Sequence, residues 1–372
     1  MYEVCAVKPV TAEHQEPRTS PVGQCPLCQD TQSVLFFNKS DQLHSTPGEF
    51  AYRRCVACRT VFQDPQVIIE DLELCYPENY FTHHGQSHPS ISPARSARPS
   101  LALRERIRRS IAAATQGQPL RGPLGWVGRI LAGSRFLRER AFYDSVPDEM
   151  IPFSPGPLRA LEIGCGTGDL LAGLDKAGWI AEGVEWDSRA AQVARERSGV
   201  PVWDGDFNRI ELPVAAYDLV VLCHVLEHLP EPARALRRIK ELLAPDGRAV
   251  LIYPNPESLG GRIFRSAWLH WDVPRHLVLP PGHALAGVAE HMGLVPVSVS
   301  TRAKYACATF ACSRALKEGR AVDIGGEFEM SVVDRLQGWL EHVMVSFRLF
   351  VGEEVVLVLK NSTAGSRLKD TQ

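Results

Sequence analysis

The sequence contains no apolar run long enough to cross a membrane, since nowhere do about 18 consecutive apolar residues occur. Its first ten residues, MYEVCAVKPV, have neither the basic start nor the long apolar stretch of a secretory signal. Neither sign of charge is in excess: 41 Lys and Arg stand against 43 Asp and Glu, which argues against a dedicated nucleic-acid-binding protein. We therefore expect a cytoplasmic protein without nucleic acid as a partner.

Cysteine is too scarce for a disulfide scaffold, with ten in 372 residues, and the absence of a secretory signal predicts reduced thiols. Four of them form two C-x-x-C pairs, Cys25 with Cys28 and Cys55 with Cys58. Two such pairs can present four thiolates tetrahedrally, which suits structural zinc. With four Cys ligands no coordination position stays open for catalysis. The alternative is chance pairing of buried core thiols.

Composition divides the chain into four segments. Residues 1–20 are polar, which predicts a disordered tail, and residues 21–82 hold the cysteine pairs in a small zinc-binding module. Residues 83–143 begin as a linker rich in Ser, Pro and His and continue as a basic helical segment. Residues 144–372 are predicted to form one α/β domain with a helical insertion at about 302–351.

Short apolar runs alternate with helical stretches from residue 158 onward. The expected strands are LRALEIG, WIAEGVEW, VPVWDGD, YDLVVLCHV and GRAVLIYPN, followed by LVPVSVST and EEVVLVLKN. Strands that alternate with helices of this length indicate βαβ units and a parallel sheet.

A glycine-rich loop, LEIGCGTGDL, follows the first of these strands. Gly164, Gly166 and Gly168 would let the backbone approach a nucleotide closely at a helix N-terminus. The dinucleotide fingerprint requires a third small residue at the position of Asp169, and an acid there would repel a pyrophosphate. Glu162, before the glycines, suits a cationic ligand better than a phosphate.

Two more acidic residues follow the next two strands. Glu185 can accept hydrogen bonds from both hydroxyls of a ribose, as NAD or S-adenosylmethionine would require. Asp206 could accept from an adenine amino group with Phe207 packed nearby, and Trp186 could form a wall of the adenine site. Taken singly, each acid could instead be a solvated loop-end charge or a helix cap, and Trp186 could be a core residue.

These motifs resemble those of class I S-adenosylmethionine-dependent methyltransferases over residues 158–300: LEIGCGTG resembles the first motif, GVEWD the second, and DGDF the adenine-contacting loop. YDLVVLCHVLEHLPEP is similar to a subgroup with a His-x-x-Glu-His segment after strand four. The resemblance implies an α/β, Rossmann-like, seven-stranded methyltransferase sheet. It also implies that the cofactor is bound by Glu162, Gly164, Gly166, Gly168, Glu185, Trp186, Asp206 and Phe207.

The cysteine-bearing segment resembles the zinc-binding N-terminal segment of some bacterial methyltransferases, including ones that act on sugars. The resemblance implies methyl transfer to a small-molecule acceptor: a sugar, a polysaccharide precursor or a secondary metabolite. One alternative is an RNA methyltransferase with a zinc module, although such modules typically end in a His where Cys58 stands, and CHVLEH replaces the usual N-P-P-Y-like tetrapeptide. Another is a non-catalytic zinc-ribbon interaction protein that retains the cofactor fold.

Two histidines are candidates for the general base. His224 stands at the end of strand four, and His276 lies in WDVPRHLVLP, which resembles a substrate-side segment of related bacterial enzymes. An imidazole can accept the proton of a hydroxyl acceptor at neutral pH. The alternative for both is a structural hydrogen bond. The amphipathic segment 331–350 is predicted to cover the sheet, with peripheral membrane contact as the lesser alternative.

Overall fold

The computed structural model describes residues 15–76, 158–322 and 330–362, together with parts of 106–137. Residues 1–14 of the predicted tail (1–20) and residues 83–105 of the predicted linker lie outside these described residues. At the end of that tail, Thr19–Ser20 is not disordered but forms a short strand paired with Gln66–Val67. No helix in the described ranges combines the length and the apolar character that a membrane crossing requires.

Thirteen strands occur in the described ranges. They are β1 (Thr19–Ser20), β2 (Ser33–Lys39), β3 (Phe50–Cys55), β4 (Val61–Gln63), β5 (Gln66–Val67), β6 (Arg159–Ile163), β7 (Ile180–Glu185), β8 (Val202–Asp204), β9 (Tyr217–Cys223), β10 (Leu243–Pro254), β11 (Val278–Leu279), β12 (Leu294–Arg302) and β13 (Glu354–Asn361).

The α-helices of the described ranges are α1 (Gly122–Ala132), α2 (Asp169–Lys176), α3 (Ser188–Ser198), α4 (Pro232–Leu242), α5 (Leu259–Phe264), α6 (Gly282–His291), α7 (Ala306–Lys317) and α8 (Val332–Ser346). Short 3-10 helices cover Ile69–Cys75, Leu226–His228, Arg265–Ala267 and Leu269–Trp271. Local sequence explains several of the helix ends. The Asp187 side chain accepts hydrogen bonds from the first backbone N–H groups of α3, and Ser331 with Asp334 forms a capping box on α8.

The central sheet has seven strands in the order β12-β13-β10-β9-β6-β7-β8. Strands β10, β9, β6, β7 and β8 run parallel, whereas β13 pairs antiparallel with both β10 and β12. Helices α7 and α8 lie between β12 and β13 in the chain. The predicted α/β fold with seven strands and a helical insertion before the last strand is therefore confirmed.

Helices cover both faces of this sheet because successive residues of each strand point to opposite sides. Leu161 and Leu251 pack on one face with Leu236 of α4. Their chain neighbours Ala160 and Val250 pack on the other face, where α2 and α3 lie. The carboxyl ends of the parallel strands meet at one edge of the sheet, which places the loops after β6, β7, β9 and β10 near one another.

Strands of the N-terminal segment form a sheet with a strand of the domain that carries the large sheet. β2, β3 and β4 form an antiparallel sheet whose fourth strand is β11, from the segment that follows residue 276. Val61 pairs with Leu279 and Phe62 with Val278. The cysteine-bearing segment is thus hydrogen-bonded to the domain that carries the large sheet.

Candidate active site and cysteine cluster

The glycine loop after β6 is tightly packed at two glycines and open at the third. A Cβ on Gly164 would lie 2.3 Å from Cγ2 of Val225, and one on Gly168 would lie 3.0 Å from the backbone of Ala194. Gly166 has a φ of +52° and would meet no atom within 4 Å. The backbone at Gly166 is therefore the point at which a ligand could approach this loop most closely.

Two buried carboxyl groups flank the loop. Burial raises the pKa of Glu162 well above its ordinary value, with the nearby Glu185 as the second cause, and its Oε2 atom has no hydrogen-bond partner among the described residues. Glu185 accepts hydrogen bonds from the N–H groups of Gly166 at 2.7 Å, Trp186 at 2.9 Å and Asp187 at 3.1 Å. Burial also raises the pKa of Glu185. The unpartnered, buried oxygen of Glu162 fits a cationic ligand, whose charge would offset the cost of burying the ionised carboxylate.

A carboxylate offers about four acceptor positions, so three backbone donors leave Glu185 able to accept a further hydrogen bond. Trp186 is 51 % exposed and can reach a ligand, whereas Phe207 is buried in the core cluster on one face of the sheet. Asp206 is partly exposed and accepts from the backbone and side chain of Asn208. The structure thus links Glu185 directly to the glycine loop, while Asp206 is hydrogen-bonded to its neighbour Asn208 and Phe207 packs in the core cluster.

His224 lies at the end of β9 between two carboxylates. Its Nδ1 atom is 3.2 Å from Oε1 of Glu227, and its Nε2 atom is 2.7 Å from Oε1 of Glu354. Arg302 pairs with the other oxygen of Glu354. Although burial lowers the pKa of His224, its hydrogen bonds to Glu227 and Glu354 raise it well above the ordinary value. His224 is therefore an imidazolium that donates from both ring nitrogens.

The ring of His276, unlike that of His224, has no carboxylate of the described residues within hydrogen-bond distance. Its Nδ1 atom is 2.8 Å from the carbonyl oxygen of His270, which can only accept, so Nδ1 carries a proton. Its Nε2 atom is 4.0 Å from Oε1 of Glu227 and 3.8 Å from Oδ2 of Asp272, beyond hydrogen-bond distance of either oxygen. In the neutral ring, the Nε2 lone pair is left available beside two carboxylates.

His228 completes this cluster. Its Nδ1 atom lies 3.1 Å from the carbonyl oxygen of Arg275 and 2.9 Å from the hydroxyl of Tyr76, and its ring meets that of His276 edge-on at 4.7 Å. Burial, with repulsion from His276 as the second cause, lowers the pKa of His228 to about 4. His228 is therefore neutral at physiological pH.

Three side chains of this cluster could each ligate a metal ion through one atom, and these atoms lie within 4.8 Å of one another: Glu227, His228 and His276. Ligands about 2.1 Å from a tetrahedral ion lie about 3.4 Å apart. The 4.0 Å between Glu227 and His276 is wider, and Oε1 of Glu227 already accepts from His224. The spacing of these three atoms is therefore wider than that of ligands around one tetrahedral ion.

Sequence reasoning missed three members of this cluster. Glu354, Arg302 and Tyr76 come from β13, the end of β12 and the N-terminal segment. One sequence feature could have indicated Glu354: it is the second of two acids, Glu353 and Glu354, that precede the apolar run VVLVL. Nothing in the sequence indicates that Tyr76 reaches His228, because 152 positions separate them.

The four cysteines of the two C-x-x-C pairs lie together. The Sγ atoms of Cys25 and Cys58 are 3.6 Å apart, and those of Cys28 and Cys55 are 3.5 Å apart. Sulfur atoms 2.3 Å from a shared tetrahedral zinc ion would be about 3.8 Å apart. The two knuckles also share one turn geometry, in which the N–H four residues on donates to the carbonyl of Cys25 or Cys55 at about 3 Å. The thiol set therefore fits zinc.

Residues 135–299 match the family described as a methyltransferase domain. An uncharacterized methyltransferase of Mycobacterium tuberculosis is 28% identical over 178 residues, which cover 44% of this chain and 89% of that protein. A ubiquinone biosynthesis O-methyltransferase of Alkalilimnicola ehrlichii is 30% identical over 125 residues, covering 32% of this chain and 51% of that enzyme. A solved S-adenosylmethionine-dependent methyltransferase from Archaeoglobus fulgidus aligns with a TM-score of 0.42 and 21% identity, over 64% of this chain and 100% of that one.

The matched domain and the seven-stranded sheet identify this chain as a class I S-adenosylmethionine-dependent methyltransferase. The predicted enzyme class and its methyl donor are confirmed. The matches leave the acceptor and the roles of individual site residues to be inferred from the geometry.

Proposed function

We propose that this enzyme methylates a hydroxyl group of a small molecule, such as a sugar, a polysaccharide precursor or a secondary metabolite. The observation that carries the proposal is the Nε2 atom of His276, which has an available lone pair at the cluster after β9. A hydroxyl must lose its proton as it is methylated, and such a nitrogen can accept it. The O-methyltransferase among the relatives supports a hydroxyl as the accepting group.

For the cofactor, we propose that Glu162 holds the positively charged methionine portion and that Glu185 accepts from the ribose hydroxyls. Gly164, Gly166 and Gly168 let the backbone approach, and Trp186, Asp206 and Phe207 surround the adenine. When bound, S-adenosylmethionine supplies a methyl group on a positively charged sulfur. The unpartnered Oε2 of Glu162 and the open space over Gly166 support these assignments.

On the acceptor side, we propose that His276 is the base. His224, the other candidate from the sequence, already carries a proton on each ring nitrogen and cannot accept another while it lies between Glu227 and Glu354. Its role is to hold Glu227 in place by a hydrogen bond, since Glu227 faces His276. Its positive charge would also lie near the proton that leaves the acceptor hydroxyl. His228 and Tyr76 would bound the same space.

We also propose that Cys25, Cys28, Cys55 and Cys58 hold one structural zinc in the predicted module of residues 21–82, joined to a methyltransferase domain of residues 144–372. The Sγ separations near 3.6 Å support zinc, as described above. Thiols kept reduced for this purpose support a cytoplasmic location.

Transfer of a labelled methyl group from S-adenosylmethionine tests the proposed acceptor. The purified full chain is incubated with a panel of hydroxylated sugars, nucleotide sugars and phenols, and separately with total RNA. We expect label on a small hydroxylated compound and its loss in His276→Gln. Label on RNA would favour the RNA alternative, and cofactor binding without any transfer would favour a non-catalytic interaction protein.

A further inference from the structure

A buried arginine joins the N-terminal segment to the segment that carries His276. The guanidinium of Arg275 is fully buried and binds both carboxyl oxygens of Asp41, at 2.8 and 3.1 Å. It also binds Asp272 at 2.7 and 2.9 Å, and the carbonyl oxygens of Cys75 at 2.9 Å and Val273 at 3.1 Å. One arginine side chain thus fastens two parts of the chain that lie 234 positions apart.

Asp41 is itself fixed by its own loop. Its carboxylate accepts from the backbone N–H groups of Leu43, His44 and Thr46, and from the Thr46 hydroxyl at 2.7 Å. Although burial raises the pKa of Asp41, the hydrogen bond and charge of Arg275 lower it below the ordinary value. Asp41 is therefore an ionised group whose position is set by the N-terminal segment.

The same segment also holds the backbone at His276 and at the next residue. The Tyr52 hydroxyl donates to the carbonyl oxygen of His276 at 2.8 Å, and the N–H of Gln63 donates to the carbonyl oxygen of Leu277 at 2.9 Å. On the other side, Asp272 binds Arg275 and lies 3.8 Å from the ring of His276. The position of the His276 ring therefore depends on contacts made by residues 41–63.

We propose that Asp41 is a positioning residue for methyl transfer: through Arg275 and Asp272 it sets the orientation of His276, so that the cysteine-bearing segment completes the acceptor side of the active site. This proposal rests on the proposed role of His276. The physical reason is that a bidentate pair between carboxylate and guanidinium fixes both distance and plane. A displacement of about 1 Å at a reacting group can cost about 10²-fold in rate.

The test uses Asp41→Asn in the full chain, which keeps the shape of the side chain and removes its charge. We expect kcat, with the acceptor identified by the labelled-methyl assay, to fall about 10- to 100-fold, while the Kd for S-adenosylmethionine changes less than about twofold. Asp41→Glu should recover part of the lost rate. The matched control is Asp71→Asn, which removes an ion pair to Arg18 in the same segment without contacting residues 272–276.

A second measurement needs no acceptor. In the full chain with ¹⁵N-labelled histidine, at a pH where the ring is neutral, the signals of His276, assigned with His276→Gln, should show the tautomer protonated at Nδ1, which donates to His270. Asp41→Asn should add the second tautomer, because the hydrogen bond to His270 loosens, whereas Asp71→Asn should not. The groups that face this ring are Glu227 and His228 from the 3-10 helix and His270 and Asp272 from its own segment.

Wild-type kcat and an unchanged His276 tautomer in Asp41→Asn would overturn the proposal. If Asp41→Asn does not fold, Tyr52→Phe removes one hydroxyl, and we expect a three- to tenfold lower kcat with unchanged cofactor affinity; an unchanged kcat would again overturn it. Normal turnover in His276→Gln would instead remove the proposed base. The two failures are therefore distinguishable.

Discussion

The Nε2 atom of His224 lies 2.7 Å from Oε1 of Glu354, a residue 130 positions later in the chain. With Glu227 on the other ring nitrogen, this contact raises the pKa of His224 and keeps the ring protonated. The Nδ1 atom of His276 donates to a backbone carbonyl oxygen, and its Nε2 atom lies beyond hydrogen-bond distance of Glu227 and Asp272. Two histidines that are equivalent as sequence candidates thus have different partners in the folded chain, because both ring nitrogens of His224 lie against carboxylates.

The two histidines should respond differently to substitution. We expect His276→Gln to lower kcat by about 10²- to 10⁴-fold because the acceptor proton loses its base. His224→Gln should cost less, because it weakens only the fixation of Glu227 and Glu354. Steady-state kinetics with the identified acceptor, with the cofactor Kd measured by calorimetry, checks both. Equal losses in the two variants would contradict the assignment of His276 as the base.

Glu185→Gln should weaken S-adenosylmethionine binding at least about tenfold, since a charged hydrogen bond contributes about 1.5–3 kcal/mol. The amide also loses acceptor capacity toward the N–H groups of Gly166 and Trp186, which loosens the loop. Calorimetry measures the affinity. Glu196→Gln, on the exposed side of α3, is the control and should bind as the wild type does. Unchanged affinity in Glu185→Gln would remove Glu185 from the cofactor site.

Elemental analysis of protein purified without chelators should find one zinc per chain. Cys58→Ser should lower that content, whereas Cys312→Ser, which changes a buried cysteine of α7 outside the cluster, should not. Metal removal should loosen residues 25–58, because a small segment depends on its metal, while cofactor binding stays within about twofold. Full cofactor affinity with no bound metal in the wild type would reject the zinc site.

Glu341→Gln should raise the stability of the folded chain at neutral and alkaline pH. Oε1 of Glu341 accepts from the backbone N–H of Glu353, and burial raises the pKa of both carboxyl groups, with mutual repulsion adding to that of Glu341. The unfolded chain loses both protons near pH 4.5, whereas the folded chain retains at least one above that pH. Stability therefore falls as pH rises above that value.

A glutamine at position 341 keeps the acceptor and removes the repulsion. We expect Tm to rise by about 1–2 °C at pH 8, as about 1 kcal/mol would produce in a chain of this size. The gain should shrink toward pH 5, where the wild-type carboxyl groups are protonated. Thermal unfolding at the two pH values measures this difference. A gain of equal size at both would contradict the assignment to ionisation.

The order of strands and helices followed from the sequence because it depends on local patterns. Apolar runs such as YDLVVLCHV fit strands buried on both faces, and glycines after β6 fit a turn that requires positive φ. The C-x-x-C pairs and the acids at strand ends are also local patterns, whereas the fold brings the two cysteine pairs together and joins Glu185 to the glycine loop. The burial of Phe207 in the core cluster depends on distant residues and has no such local pattern.

The contacts between residues that are distant in the chain were decided by the tertiary structure. Glu354 reaches His224, and Arg302 reaches Glu354, only because β13 and β12 extend the sheet beyond β10. Asp41 reaches Arg275 only because β4 pairs with β11. These contacts span tens to hundreds of positions, so no periodicity or motif records them. The protonation of a histidine depends on which charges surround it and how deeply they are buried. The sequence by itself therefore determined the sheet and its candidate residues, and the folded chain decided which groups surround each histidine.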